Sequence, residues 1–73
     1  MARKDVKAEV TGRVWQVEVT LGQRVAAEDV LIILESMKME IPVLAPVAGT
    51  VAELRVEPEQ AVEEGAVVAI IET

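Results

Sequence analysis

Cysteine, histidine, tyrosine and phenylalanine are all missing from this 73-residue chain, and tryptophan occurs once. Without cysteine there is no disulfide framework and no thiolate metal site, and the composition suits a reducing compartment. Without histidine as well, the familiar nucleophile–base pairs cannot be assembled. The 13 Asp and Glu residues are scattered along the chain and read as a solvated acidic surface. No catalytic residue and no metal ligand is therefore expected, and the chain is a poor candidate for an enzyme. Only seven Lys and Arg stand against those acids, for a net charge of −6. That balance excludes the clustered cations that nucleic-acid phosphates or an anionic membrane demand. The longest apolar runs, Val30 to Leu34 and Ala66 to Ile71, are too short to span a bilayer. Arg3-Lys4-Asp5 leads into no apolar signal core. A cytoplasmic monomer with neither nucleic acid nor membrane as partner is the expectation.

What the chain has in quantity is valine, at fourteen positions. β-Branched side chains fit a pleated surface and lose rotamer freedom in helices. No segment sustains apolar residues at i, i+3, i+4 and i+7 over three turns. The reading is all-β, and the length suits one domain over residues 1–73.

The two halves repeat each other. At an offset of 37, residues 8–36 align with 45–73 without a gap, and ten of the 29 pairs are identical, Gly12/Gly49, Val14/Val51, Gln23/Gln60 and Glu35/Glu72 among them. Each half reads as a first strand (about Val6–Val10, or Ile41–Val47), a tight connection with Gly12 or Gly49, and a second strand (Arg13–Val19, or Thr50–Val56). A polar loop, a short extended piece at Val25 or Val62, a turn and a closing strand (Val30–Glu35, or Val67–Glu72) follow. Short strands with turns at this spacing suggest a small sandwich or barrel.

The second strand places apolar residues at Val14, Val17 and Val19, a spacing of three then two that breaks alternation. A bulge that keeps all three inward is the preferred reading, with Trp15 on or near the outer face as a partly covered surface residue. The core is expected from Val14, Val17, Val19, Val30, Ile32 and Leu34 with their repeat partners Val51, Leu54, Val56, Val67, Ala69 and Ile71. Gly65 corresponds to Glu28 and Gly22 to Glu59. Either these glutamates adopt the left-handed conformation that suits glycine, or the paired turns differ in type.

Where the halves join, VLIILES, MK and MEIPVLAPV read as strand, tight turn, strand, with either a two-residue hairpin turn or a slightly longer, irregular turn carrying an incidental lysine. Two-residue hairpin turns normally take Asn-Gly or Asp-Gly, because both central residues need positive φ. Met37 and Lys38 are unusual there, and Met37 and Met39 would leave apolar surface in water. A repeat read only twice makes the junction unique, and Lys38 with it.

The Met-Lys-Met core within Glu35–Glu40, followed by a proline-bearing strand and Ala48-Gly49-Thr50-Val51, resembles the biotinyl (biotin carboxyl carrier) domain family. The resemblance covers nearly the whole chain, with Ser36 where the family usually has alanine. It implies a flattened barrel or sandwich of two four-stranded antiparallel sheets with a pseudo-two-fold axis, a barrel-sandwich hybrid without the thumb insertion of some carriers. It implies an attachment hairpin at one end and both termini at the other. It further implies covalent biotin on Lys38, with Met37 and Met39 as flanking recognition residues. The implied partners are a biotin ligase, which supplies the base, and a biotin carboxylase and carboxyltransferase, between which the tethered biotin carries carboxylate. Two alternatives fit the same residues: a lipoyl carrier, which usually has an acidic residue where Met37 stands, and a non-carrier assembly module.

Overall fold

Residues 2–73 are described by a computed structural model. Eight strands follow in order: β1 (Arg3–Lys7), β2 (Gly12–Val17), β3 (Arg24–Val25), β4 (Val30–Ser36), β5 (Met39–Leu44), β6 (Gly49–Leu54), β7 (Ala61–Val62) and β8 (Val67–Glu72). They form two antiparallel four-stranded sheets, ordered β1-β8-β6-β3 and β5-β4-β2-β7. The sheets remain separate, so the form is the sandwich rather than a hydrogen-bonded closed barrel. No helix of the described residues is long and apolar enough to cross a membrane.

Moving each strand 37 residues along the chain converts one sheet order into the other. The registers follow: Arg3 faces Glu72 as Glu40 faces Glu35, and Val14 faces Leu34 as Val51 faces Ile71. Burial follows too. The core consists of eight mate pairs, Val6/Val43, Ala8/Ala45, Val14/Val51, Val19/Val56, Val25/Val62, Leu31/Val68, Ile32/Ala69 and Leu34/Ile71.

Bulges account for the phase of the apolar residues. The β2–β4 register shifts between Val14 and Gln16, and β6–β8 shifts between Val51 and Glu53, leaving Trp15 and Ala52 as the extra residues. The expected bulge is there, and Trp15 is 42% exposed. A second pair of bulges was not expected: β4–β5 shifts between Val30 and Ile32, and β1–β8 shifts at Val68. There the extra residues Leu31 and Val68 are buried beside Ile32 and Ala69, while Val30 is left 39% exposed. Strict alternation had placed Val30 and Val67 in the core; Val30 is outside it and Val67 is half-buried. Val17 and Leu54 are likewise only partly buried, packed against the core from its edge.

Four strand bounds also differ from expectation, β2 and β6 ending two residues early at Val17 and Leu54. β1 begins at Arg3 and ends at Lys7, and β5 runs Met39–Leu44, each shifted toward the N-terminus. Ala8 and Ala45 lie past the strand ends but remain in the core, held by matching bonds from Ala8 N to Ala66 O (2.9 Å) and Ala45 N to Asp29 O (2.9 Å). Pro42 sits on β5, an edge strand, where a missing N–H is tolerated.

The glycine question resolves in favour of equal turns. Glu28 has φ of 73° against 89° at Gly65, and Glu59 has 75° against 86° at Gly22. The main-chain bonds match as well, Glu28 N to Ala45 O and Gly65 N to Ala8 O, both 2.8 Å. Each glutamate carries a left-handed conformation costing about 1–2 kcal/mol.

Leu34 is fully buried, so Leu34→Ala is expected to lower stability by about 2–5 kcal/mol in urea unfolding. Val30→Ala, on the exposed side of the β4 bulge, should cost less than about 1 kcal/mol. Equal losses in the two variants would contradict the assigned phase of β4.

Candidate functional site

The strands β4 and β5 pair up to Ser36 and Met39, which leaves Met37 and Lys38 as a two-residue turn. Both have positive φ, 52° and 66°, as a type I′ turn requires. The right-handed twist of the flanking strands favours this turn geometry, so register forces two bulky residues into a conformation suited to Asn-Gly. Met37 is 91% exposed and Met39 63%, and Lys38 and Glu40 are exposed beside them. The tip thus offers one primary amine between two thioether side chains.

The root of this hairpin is held by three consecutive residues. The Ser36 hydroxyl donates to the Thr11 carbonyl at 2.9 Å. The Arg13 guanidinium donates to the Glu35 carboxylate at 3.2 Å and lies 3.8 Å from that of Glu59. Between them, Gly12 lies so close to β4 that a Cβ there would sit 2.5 Å from the Glu35 carbonyl oxygen. A side chain at position 12 would push β2 away from β4 directly beneath the tip. Thr11 is in turn fixed from the other half, its hydroxyl accepting the Glu64 N–H at 3.0 Å. Of this root, sequence reasoning found Gly12 only as part of a tight connection. Thr11, Arg13 and Glu64 went unnoticed, because each is far along the chain from the residue it holds.

The repeat supplies a comparison site. Ser36 and Met39 correspond to Thr73 and Ala2, which are joined by a main-chain bond from Thr73 N to Ala2 O (2.8 Å) and by no turn. Gly49 there repeats the close approach, 2.5 Å from the Glu72 carbonyl oxygen. β1 leaves the Ala2/Thr73 end and its chain reaches Gly12 at the hairpin root after only four residues beyond Lys7 (Ala8 to Thr11), so the two sites lie at opposite ends of the sandwich. The remaining lysines, Lys4 and Lys7, lie on β1 in the other sheet. Lys38 is the sole lysine at a turn.

The tip can act as a tethering point. Among the described residues no polar side chain is buried, and no group of three or more acidic side chains is placed to hold a metal ion. The Lys38 side chain is exposed at the turn, so the geometry leaves its amine free to carry a covalently attached group.

A family model described as "Biotin-requiring enzyme" matches residues 4–71. The chain is 46% identical to the "Biotinylated protein TB7.3 homolog" of Mycobacterium leprae over 68 residues, 93% of this chain and 96% of that protein. It is 38% identical to the "Biotin/lipoyl attachment protein" of Bacillus subtilis over 60 residues, 82% of each. Among solved structures, it superposes on the urea carboxylase of Kluyveromyces lactis with a TM-score of 0.93 and 35% identity, covering 99% of this chain and 6% of that one.

If the root imposes the turn, Gly12→Ala should destabilise the protein by about 1–3 kcal/mol, since backbone must move to admit the methyl group. Met37→Asn should instead stabilise it by up to about 1 kcal/mol, because asparagine tolerates positive φ. Thermal or urea unfolding of both variants checks the pair of signs.

Proposed function

The chain belongs to the biotin/lipoyl attachment family, and on that premise we propose that it is a biotin carboxyl carrier with Lys38 as its attachment residue. The observation that carries this reading is the lysine at a two-residue turn, φ positive on both sides of the Met37–Lys38 bond, with exposed methionine before and after it. In this reading residues 1–73 act as one attachment domain in the cytoplasm.

Lys38 presents its Nζ to an activated biotin carboxyl group held by a biotin ligase. An amide bond forms between Nζ and the biotin carbonyl as the bond from that carbonyl to the activating adenylate breaks and AMP leaves, and Nζ gives up its proton to a base on the ligase. Once attached, biotin supplies the carboxyl-carrying chemistry. The rest is positioning by this chain: the Thr11–Arg13 segment fixes the root, and the long side chain of Lys38 confines the cofactor to a small volume about the tip. That tethering gives a high effective concentration at each partner site visited. Met37 and Met39 offer flexible apolar surface that carboxylase and carboxyltransferase sites can desolvate, worth about 1.5–3 kcal/mol per fully buried side chain.

A lipoyl carrier is the second reading, favoured by the name of the Bacillus subtilis relative and opposed by Met37 in place of an acidic residue. Incubation with ATP, a biotin ligase and biotin, in parallel with a lipoate ligase and lipoate, followed by intact mass measurement, distinguishes the two adducts. One biotin is expected on the native chain and none on Lys38→Arg; biotin on the variant at the native rate would contradict the assignment.

The double substitution Met37→Ser, Met39→Ser is expected to lower turnover in a carboxylation assay far more than it lowers biotinylation. Equal loss in both assays would show that the methionines serve hairpin shape or ligase recognition instead.

A further inference from the structure

β1 and β5 are each the outer strand of a sheet, and the two edges lie side by side across the pseudo-two-fold. Between them runs a groove of about 300 Å³. Because β1 and β5 are repeat mates, the two walls would be alike if the halves had kept the same side chains. They differ at every alternate position. On the β5 side stand Pro42, Leu44 and Pro46; at the corresponding positions on the β1 side stand Asp5, Lys7 and Glu9. One wall is apolar and the other carries two carboxylates and an ammonium group. The apolar wall belongs to the strand that leaves the Lys38 turn.

We propose that this groove is a resting site for the ring system of the cofactor carried on Lys38, an inference that rests on the biotin-carrier reading above. The chemistry of the two walls suits a bicyclic ligand with unlike edges. The valeryl chain and thioether ring of biotin are apolar and match Ile41 and Pro42. Its ureido ring has two N–H donors, suited to the Asp5 and Glu9 carboxylates, and one carbonyl acceptor, suited to the Lys7 ammonium. Length agrees as well. From the Lys38 Cα to the ring system there are about eleven bonds, and an extended chain advances about 3.6 Å per three bonds, so the arm reaches roughly 13 Å. With a strand rise of about 3.4 Å per residue, Ile41 lies about 10 Å and Pro42 about 14 Å from the turn along β5. An arm laid back along this edge strand delivers its ring to the groove and no farther. Nothing hydrogen-bonds to the outer edge of β5 in the sheet, so the path is open.

Resting in the groove would keep the ring out of water between visits and hold the arm against the domain. Partner sites would then have to compete for the ring.

The test compares ¹⁵N-labelled protein by NMR before and after loading with biotin ligase, with loading verified by intact mass. On loading, the amides of Ile41, Val43, Leu44, Val6 and Lys7 should shift, in addition to those at the turn. Pro42→Glu and Lys7→Glu change exposed side chains on opposite walls. In each, the shifts on β1 should be lost while loading and the shifts at Met37 and Met39 persist; amide dispersion of the unloaded variants reports that they fold. A fully loaded native chain with shifts confined to the turn overturns the resting site and leaves the carrier reading intact. Remote shifts that survive in both variants also overturn it. Failure of the ligase to load Lys38 overturns the carrier reading itself, and the resting site with it.

Discussion

Neither half of this chain can satisfy its own backbone, and the remaining structure follows from that constraint. Val14 donates its N–H to Gln60 O at 2.8 Å and accepts from Glu59 N at 2.7 Å; Val51 donates to Gln23 O at 2.9 Å and accepts from Gly22 N at 2.8 Å. Both valines are buried, so an unpaired amide at either would cost about 1–3 kcal/mol. The same exchange recurs where β3 pairs with β6 and β7 with β2. Loops of one half are thus anchored on strands of the other. Gln23 and Gln60 reinforce each loop internally, their side-chain oxygens accepting from Thr20 N at 3.1 Å and Glu57 N at 3.0 Å. A chain this short, with one aromatic residue, has little core to spare, and interlocking its halves ties the backbone beneath each half's core strands to the other half.

That interlocking explains why the Met37–Lys38 turn can persist. Two non-glycine residues at positive φ are tolerated only where surroundings over-determine them. Here Ser36 is tied to Thr11, Glu35 to Arg13, and Gly12 lets the strands close to a distance no other residue permits. Thr11 is itself fixed by Glu64 of the second half. Strain at the tip is therefore resisted by the whole sandwich and not by the hairpin alone. The exposed methionines have no such structural support, which is why a role in partner contact accounts for them better than a role in packing.

Much of this was legible in the sequence, and the reasons for the exceptions are physical. The two-fold emerges from a gapless alignment, and the turn at Met37–Lys38 from the lengths of the flanking runs. The bulge at Trp15 shows itself as a three-then-two spacing of valines. Its counterpart at Leu31 does not, because Val30 to Leu34 is apolar at every position and such a run carries no phase. β1 was placed too late because Arg3, Lys4 and Asp5 look like a solvated terminus, whereas charge is a normal feature of an edge strand. Gly12/Gly49 was visible as an identity, but its cause, a carbonyl 2.5 Å from where a Cβ would lie, belongs to a strand 23 residues away. The tie from Ser36 to Thr11 spans 25 residues and has no sequence signature at all.

The halves agree where the backbone and core require it and part company at the surface. All eight core pairs keep an apolar residue on both sides. On the outer faces, Arg3, Glu53, Arg55 and Glu72 form a linked set of ion pairs on one sheet. Their mates on the other sheet are Glu40, Gln16, Glu18 and Glu35, which cannot pair among themselves, and Arg13 serves Glu35 in their stead. The sheet that carries Lys38 is thereby left more acidic on its face and more apolar along its β5 edge than its twin. Exposed ion pairs contribute at most about 1 kcal/mol each, so this divergence has little consequence for stability. Its consequence lies at the surface: the two sheets of a near-symmetric frame differ in charge and in edge polarity, in addition to the turn that only one of them carries.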